Sequence, residues 1–243
     1  MKLIKLNAID STNDFLKKLS QNQYLENFTV VTAQSQWKGK GQMGSNWVTE
    51  KDKNLITSIL IKKIINTNIT IFDLNITVAV TIKEALEKYE IPDLSIKWPN
   101  DIMSGNKKIS GILIENNFKE NQEVESIIGI GLNINQENFD NLPKASSLKS
   151  ITGKEYVIEE ILFSILKRLE KNLKEIKEGK KMILWEKYHN FLFKFNKPAA
   201  FEDSFKHKFM GIIKKVNQDG LIEIILEDES IKVFGIKEIK MLY

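Results

Sequence analysis

Residues 94–115 read LSIKWPNDIMSGNKKISGILIE and predict two strand segments joined by a tight turn. Pro99 cannot donate a hydrogen bond to a neighbouring strand, so the strand that opens this stretch is expected to end just before it. Gly105 and Asn106 lie between two apolar runs, a pattern typical of a hairpin turn. The apolar residues after the turn then form the returning strand, and the stretch indicates an antiparallel sheet.

A second glycine-bearing strand is predicted at residues 126–135, SIIGIGLNIN. Gly129 and Gly131 are two residues apart, so in a strand they lie on the same face of the sheet. Glycine inside a strand often marks a place where a ligand or another backbone lies close. We therefore expect this face to be approached closely.

The chain has 12 glycines in 243 residues, and three of them fall within the stretch WKGKGQMGSNWVTE, residues 37–50. Glycine loses more backbone freedom on folding than any other residue, so this concentration has a cost. Two interpretations remain open for the stretch alone. It is either a solvated flexible loop, or a loop whose N–H groups and lysines approach an anionic ligand.

The remaining pattern predicts alternating strands and helices, followed by short strands. Strands are predicted at residues 3–9, 28–33 and 54–61, and helices at residues 71–89, 157–178 and 181–193. After Pro198 only short β-rich runs remain, separated by polar turns. These patterns predict a domain of residues 1–195 and a small all-β domain, SH3-like in size, of residues 196–243.

Composition excludes several classes of function. Hydrophobic residues make up 42% and charged residues 28%, as in ordinary soluble proteins, and no apolar run is long enough to span a membrane. The N-terminus becomes polar too early for a signal peptide. Cysteine is absent, which excludes disulfides and favours a reducing cytoplasm. The two histidines, His189 and His207, are too few for a His-based metal site or a Ser-His-Asp triad, so both are interpreted as surface or packing residues.

Four segments together resemble one family, the biotin–protein ligases. They are Ser11-Thr12-Asn13, the loop GKGQMGSNW, the motif KWPNDI with Lys108 and Gly111 after it, and GIGLNIN. The resemblance covers nearly the whole chain. It implies an α+β fold: a mixed sheet with flanking helices of the class II aminoacyl-tRNA synthetase/biotin synthetase type, plus a small C-terminal SH3-like β-barrel.

The resemblance implies a two-step reaction that uses biotin, ATP and Mg²⁺. Biotin's carboxylate attacks the α-phosphate, giving biotinyl-5′-adenylate and pyrophosphate, and a lysine of a biotin carboxyl carrier protein or domain then displaces AMP. The implied catalytic residues are Lys108, Lys40 and Asp101, and Asp101 is hypothesised to orient or deprotonate the acceptor lysine.

The resemblance also implies two sets of binding residues. The biotin-binding set is Ser11, Thr12, Asn13, Gln36, Gly39, Lys40, Lys108, Gly111 and Gly131. The ATP or adenylate set is Gly41, Gln42, Trp47, Asn100, Lys108 and Asn133. A magnesium contact is expected at Asn100 or Asn133.

The loop departs from the family pattern G-R-G-R-x-G-R-x-W. Lys40 replaces the first arginine and keeps its charge, whereas Gln42 and Ser45 replace the other two and remove two cations. Adenylate is therefore expected to leak faster than from an arginine-rich loop, with Lys38 and Lys40 compensating in part.

Other functions remain open at this stage. Only ten residues precede Ser11, which leaves no space for an N-terminal helix-turn-helix, so DNA binding is not expected. The rivals are a lipoate or octanoate ligase of the same fold, a non-catalytic biotin or adenylate sensor, and a nucleic-acid module built on the basic C-terminal domain. The acceptor carboxylase and the choice between monomer and homodimer also stay open.

Overall fold

The computed structural model describes residues 1–119, 123–140 and 142–243, without the side chain of Met43. A seven-stranded sheet forms its centre, with strand order β1-β2-β3-β7-β6-β5-β4. Its strands are β1 (Lys2–Ile9), β2 (Thr29–Gln36), β3 (Asn54–Lys62), β4 (Leu94–Lys97), β5 (Asp101–Ser104), β6 (Lys107–Phe118) and β7 (Val124–Asn133). Strands β1 and β2 pair in parallel, and every other neighbouring pair is antiparallel. The sheet is therefore mixed, as predicted.

Helices cover both faces of this sheet. Helix α1 (Thr12–Asn22) packs on one face, where Leu16 joins Val31, Leu60 and Ile127 in a small core. The other face carries the main core and the helices α2 (Ile71–Glu87), α4 (Ile158–Lys177) and α5 (Lys181–Asn190). No helix in the described ranges is both long and apolar enough to cross a membrane.

The central strand β3 shows why the sheet must be covered on both sides. Eight of its nine residues are buried, and its sequence NLITSILIK is apolar and β-branched with little alternation. Such a run is typical of a strand packed on both faces.

Two local features of the first stretch are confirmed. The strand β4 ends at Lys97, the Trp98–Pro99 peptide bond is cis, and β5 starts at Asp101. Gly105 has φ 53°, a left-handed value that glycine adopts without the steric cost of a Cβ atom, and it turns the chain from β5 into β6.

The predicted end of helix α5 was wrong. The helix ends at Asn190 rather than at residue 193, because the following residues extend along β4. The amide of Ile96 donates to the carbonyl of Phe191, and the amide of Phe193 donates back to Ile96. Sheet pairing therefore replaces the last helical turn. The short helix α3 (Leu148–Thr152) and the 3₁₀ turn Gln42–Gly44 were not predicted.

A second sheet of five antiparallel strands follows, in the order β11-β10-β9-β8-β12. Its strands are β8 (Pro198–Asp203), β9 (Lys208–Val216), β10 (Ile222–Leu226), β11 (Ile231–Phe234) and β12 (Ile239–Leu242). This confirms the small all-β unit, while the boundary near residue 196 stays a prediction.

Side chains of Trp98 and His189 form hydrogen bonds to the backbone of the five-stranded sheet region. Trp98 Nε1 donates to the carbonyl of Gly220 at 2.9 Å, and His189 Nε2 accepts from the amide of Val216 at 3.0 Å. His189 therefore has a packing role, and His207 lies exposed beside Asp203. Both histidine interpretations agree with the structure.

Asp73 ties α2 to α5. Its carboxylate accepts a hydrogen bond from the backbone amide of Thr70 at 2.8 Å, which caps the start of α2, and another from Trp185 Nε1 at 2.7 Å. Lys181 Nζ lies 3.3 Å from the same carboxylate. Burial alone raises the pKa of Asp73, but the Thr70 and Trp185 hydrogen bonds and the charge of Lys181 outweigh it, so the net pKa is lowered.

Replacing Asp73 with alanine is expected to lower the free energy of unfolding by about 2–4 kcal/mol at pH 7, because it removes a helix cap and leaves Trp185 Nε1 buried without an acceptor. The pKa of Asp73 is lower in the folded state than in the unfolded state, where it is about 3.9. The carboxylate therefore stabilises the fold fully at pH values above the unfolded-state pKa, and this stabilisation is lost as the pH falls through the folded-state pKa. Urea unfolding at pH 7 and pH 3 measures both effects. Asp219→Ala, in an exposed turn, is the control. A difference between wild type and Asp73→Ala that does not shrink at pH 3 contradicts this account.

Candidate active site

A cavity of about 280 Å³ lies on the α1 face of the large sheet. It collects segments that are far apart in the sequence: the start of α1, the glycine loop, the β5–β6 hairpin and β7. The predicted site residues that line it are Ser11, Thr12, Asn13, Gln36, Lys40, Gly41, Gln42, Trp47, Asn100, Asp101, Lys108, Gly111 and Gly131.

The floor of the cavity is bare backbone. Gly111 in β6 and Gly131 in β7 are direct cross-strand partners. The Trp47 indole lies on them: a Cβ built on Gly131 would come within 2.4 Å of Trp47 Cε2, and one on Gly111 within 3.1 Å of Trp47 Cζ3. The expectation of a close approach at this strand face therefore agrees with the geometry, and the approaching group is an aromatic ring of the chain itself.

Gly129 provides space of a different kind. A Cβ built there would meet Asn13 Oδ1 at 2.4 Å. Asn13 is buried, its Nδ2 donates to Glu115 Oε2 at 2.9 Å, and its Oδ1 lies 2.6 Å from the hydroxyl of Ser58. The absence of a side chain at Gly129 therefore allows Asn13, in the first turn of α1, to pack directly against β7.

The start of α1 serves the helix and the cavity together. Ser11 Oγ accepts from the amide of Asp14 at 3.3 Å and caps the helix. Thr12 Oγ1 lies 2.8 Å from Ser58 Oγ, and the Thr12 amide lies 3.5 Å from Gln36 Oε1. All these groups are neutral, so this end of the cavity suits a neutral polar group that both donates and accepts hydrogen bonds.

The side of the cavity formed by the β5–β6 hairpin is charged. Lys108 Nζ lies 2.6 Å from Asp101 Oδ1, and it also lies 5.5 Å from the centre of the Trp47 ring. The two charged residues face each other because the turn at Gly105 folds β6 back on β5. Lys97 lies nearby, and its burial lowers its pKa although the Asp101 carboxylate acts in the opposite direction.

The glycine loop folds as a narrow hairpin over the cavity. The amide of Trp47 donates to the carbonyl of Gly39 at 2.8 Å, and the amide of Gly41 donates to Ser45 at 2.6 Å. Lys40 and Asn46 form an isolated bridge within it. The loop therefore presents the Trp47 ring to the glycine floor.

The cations of the loop point toward acidic neighbours. Lys40 Nζ lies 2.8 Å from an Asp14 oxygen, and this hydrogen bond raises the pKa of Lys40. Lys38 Nζ lies 2.9 Å from Asp10. Both ion pairs are exposed, so the two lysines can exchange their carboxylate partners for a ligand at small cost.

Two predicted site residues, Gly39 and Asn133, do not line the cavity. A Cβ on Gly39 would meet the Trp47 carbonyl at 2.3 Å and Gln36 Nε2 at 2.4 Å, so Gly39 makes room for the loop's own packing. Asn133 donates through Nδ2 to the carbonyl of Ser146 at 3.1 Å, and its buried Oδ1 has no hydrogen-bond partner among the described residues.

Sequence reasoning missed several lining residues. Thr57 and Ile56 come from the buried strand β3, where nothing in the pattern distinguishes them from core residues. Ile236 and Lys237 come from the turn before β12, so the small sheet contributes a wall of the cavity. No local signal could have predicted that contribution, because it depends on how the two sheets pack.

The described residues do not form a metal cage. Among them there is no group of three or more His, Asp or Glu side chains that could hold a metal ion. Asn100 donates through Nδ2 to the carbonyl of Ile112 at 2.5 Å, and Asn133 lies outside the cavity lining. The predicted magnesium contact at Asn100 or Asn133 stays a prediction.

A family model described as the biotin/lipoate A/B protein ligase family matches residues 6–133, a range that includes every site residue predicted from the sequence. The chain belongs to the biotin/lipoate A/B protein ligase family. The resemblance to biotin–protein ligases is confirmed by relatives within it.

Two relatives show how far the likeness extends. The bifunctional ligase/repressor BirA of Bacillus spizizenii is 32% identical over 195 residues, covering 76% of this chain and 59% of that protein. The chain thus spans about 59% of the length of this protein and of the bifunctional ligase/repressor BirA of Bacillus subtilis. A biotin protein ligase from Aquifex aeolicus, solved in complex with biotin and ATP, is 30% identical with a TM-score of 0.81, covering 99% of this chain and 98% of that one.

A structure at lower identity supports the fold alone. A biotin protein ligase from Leishmania major is 19% identical, with a TM-score of 0.66 over 96% of this chain and 98% of that chain. Together with the Aquifex structure it confirms the predicted α+β architecture with its small C-terminal β unit.

Replacing Gly131 with alanine is expected to displace Trp47, because the new Cβ overlaps the indole at 2.4–2.8 Å in three contacts. Gly111→Ala is the matched control, since its Cβ would approach the same ring only to 3.1 Å. Acrylamide quenching of tryptophan fluorescence measures the exposure of the ring, and circular dichroism checks the fold. Quenching should increase clearly in Gly131→Ala and less in Gly111→Ala. Equal quenching in both variants and the wild type would show that the floor does not seat Trp47.

Proposed function

We propose that this member of the family attaches biotin to a lysine of a biotin carboxyl carrier protein or domain, with ATP as the energy source. The observation that carries the proposal is the single cavity that joins a neutral polar end, a glycine floor and the Lys108–Asp101 pair. Two relatives support it: the Aquifex aeolicus ligase that binds biotin and ATP, and a biotin–[acetyl-CoA-carboxylase] ligase of Paracoccus denitrificans that is 30% identical over 127 residues.

In the first step the carboxylate oxygen of biotin forms a bond to the α-phosphorus of ATP, and the bond to the β-phosphate oxygen breaks. Pyrophosphate leaves, and biotinyl-5′-adenylate remains. Both reactants are anions, so the step requires cations that offset the growing charge. Lys108 is the half-buried cation of the cavity, and Lys40 is the exposed cation of the loop. Mg²⁺ is proposed to enter as part of the Mg-ATP substrate.

The proposed binding roles follow the two ends of the cavity. The neutral groups of Ser11, Thr12, Asn13 and Gln36 are suited to the ureido ring of biotin, and Lys108 to its carboxylate. The ring of Trp47 and the backbone of Gly41 would face the adenylate, and Gly111 and Gly131, on which that ring lies, would border the biotin. Gln42 and Asn100 also line the cavity and are proposed to contact the nucleotide.

In the second step the amine of the acceptor lysine attacks the acyl carbon, an amide forms, and AMP leaves with the bonding electrons. A lysine with an ordinary pKa of about 10.4 is neutral in only roughly 0.04% of molecules at pH 7. Asp101 is proposed to orient that amine or to accept its proton. Because Asp101 Oδ1 also contacts Lys108, the same carboxylate is proposed to position Lys108 for the first step.

The division of labour along the chain is part of the proposal. Residues 1–195 would bind biotin and ATP, and residues 196–243 would supply the small β unit. Ile236 and Lys237 of that unit line the cavity, so we propose that it helps to enclose the bound adenylate.

Incubation with biotin, Mg-ATP and a biotinyl-carrier domain, read by streptavidin blot, tests the function. Lys108→Met is expected to slow adenylate formation by about 100-fold or more, because it removes the cation nearest the reacting groups. Lys107→Met is the matched control, since the adjacent Lys107 is exposed and donates to the carbonyl of Pro143. Asp101→Asn, supplied with preformed adenylate, isolates the second step.

Each result of this assay is decisive for one part of the proposal. Full activity of Lys108→Met would remove Lys108 from the chemistry, and an unchanged second step in Asp101→Asn would remove Asp101 from that role. If the carrier domain is modified with lipoate but not with biotin, the chain is a lipoate ligase of the same family. Biotin binding without any ATP–pyrophosphate exchange would identify a sensor.

The loop composition makes a separate prediction about adenylate retention. Gln42 and Ser45 line the cavity without carrying charge. Gln42→Arg is expected to slow dissociation of biotinyl-5′-adenylate about five- to tenfold, because it adds a cation that can form paired hydrogen bonds to the phosphate. Release of radiolabelled adenylate into a chase of unlabelled biotin measures the rate. Gln42→Met is the control for size, and equal rates in wild type and Gln42→Arg would refute the leakage idea.

A further inference from the structure

A second cavity, of about 460 Å³, lies between the two sheets and has no place in the proposed reaction. It is bounded on one side by the segment Lys97–Pro99 and on the other by strands of the small sheet. The turn that carries Ile236 and Lys237 forms a wall shared with the first cavity. Interfaces between units are common places for small-molecule sites, and this volume is within their usual range.

Most of the residues that line the second cavity are apolar. Trp98, Phe201, Ile213 and Ile222 are buried residues whose side chains border it, and Ile239 and Met241 are half-buried. The one indole donor, Trp98 Nε1, is already bonded to Gly220. These side chains therefore offer apolar contacts to a hydrocarbon chain, and the indole N–H of Trp98 is not available to a ligand.

The charged groups that border the cavity all have one sign. They are Lys97, Lys237 and Lys240, and no acidic residue of the described chain lines it. Neither Lys97 nor Lys240 forms a salt bridge within the described residues, and the nearby Asp101 carboxylate is held by Lys108 at 2.6 Å. Burial is the main reason that the pKa of Lys97 is lowered; the Asp101 carboxylate opposes this shift, and the positive charges of Lys108, Lys144 and Lys240 add to it. An anionic group would relieve this repulsion.

We propose that this cavity binds a linear aliphatic carboxylate, with the hydrocarbon chain against Trp98 and the isoleucines and the carboxylate beside Lys97 and Lys240. The apolar walls require that most of the ligand be hydrocarbon, and the lysines require one anionic end. A polyphosphate or a nucleotide would leave its polar groups against apolar walls, which disfavours both.

The test uses 10-bromodecanoate as the probe on the whole protein, without ATP or carrier, so its outcome does not depend on the proposed ligase activity. Bromine in the cavity should quench the fluorescence of Trp98 in a saturable manner, and the Trp98→Phe variant should lose that component. Saturating biotin should not displace the probe. Affinity along the series hexanoate, octanoate and decanoate should rise about fourfold for each added methylene, as expected for buried hydrocarbon.

Two variants locate the binding site. Ile239→Phe narrows the cavity and is expected to weaken binding at least tenfold, and Lys240→Gln removes one cation and is expected to weaken it about fivefold. Lys214→Gln, an exposed lysine on β9 that does not line the cavity, should leave the affinity unchanged. The proposal is overturned if the probe does not quench Trp98, if biotin displaces it, or if Ile239→Phe and Lys240→Gln bind as wild type does. Thermal melting of each variant separates lost binding from lost folding.

Discussion

Two glycines that face each other across β6 and β7 set the geometry of the site. Gly111 and Gly131 remove two side chains from the middle of a sheet, and the ring of Trp47 lies on the exposed backbone. A shift of both strands by one residue would turn the two glycines to the face that carries the main core and would place side chains such as Ile112 and Ile130 under the loop. The pairing of these two strands therefore decides whether a cavity exists at all, and the loop, the helix cap and the hairpin are arranged around it.

The hairpin turn fixes the charge of the cavity in the same way. Gly105 adopts a left-handed conformation, which brings β6 back beside β5 and sets Lys108 against Asp101. The lysine is thus held by regular sheet structure, whereas Lys40 depends on a loop and pairs with Asp14. With Gln42 in a position that carries arginine in the family pattern, the positive potential of the site rests more on the sheet than on the loop.

Local chemistry explains what the sequence could predict. Pro99 has no amide to donate, Gly105-Asn106 favours a tight turn, and the spacing of apolar residues marks the long helices, so the elements and their approximate ends could be predicted. The site segments could be predicted because each carries unusual residues for its element: glycine in strands, and hydroxyls beside an amide at a helix start. The structure brings nearly all of them to one cavity.

What the sequence could not predict depends on contacts through space. Thr57 looks like any residue of a buried strand, yet it lines the cavity together with its cross-strand partner Ile130 of β7. The end of α5 was misplaced because pairing with Ile96 competes with the last helical turn. Lys237 belongs to the small sheet, yet it borders both cavities. A boundary drawn from composition at residue 196 therefore does not separate the residues that line the two cavities, because the turn before β12 contributes to both.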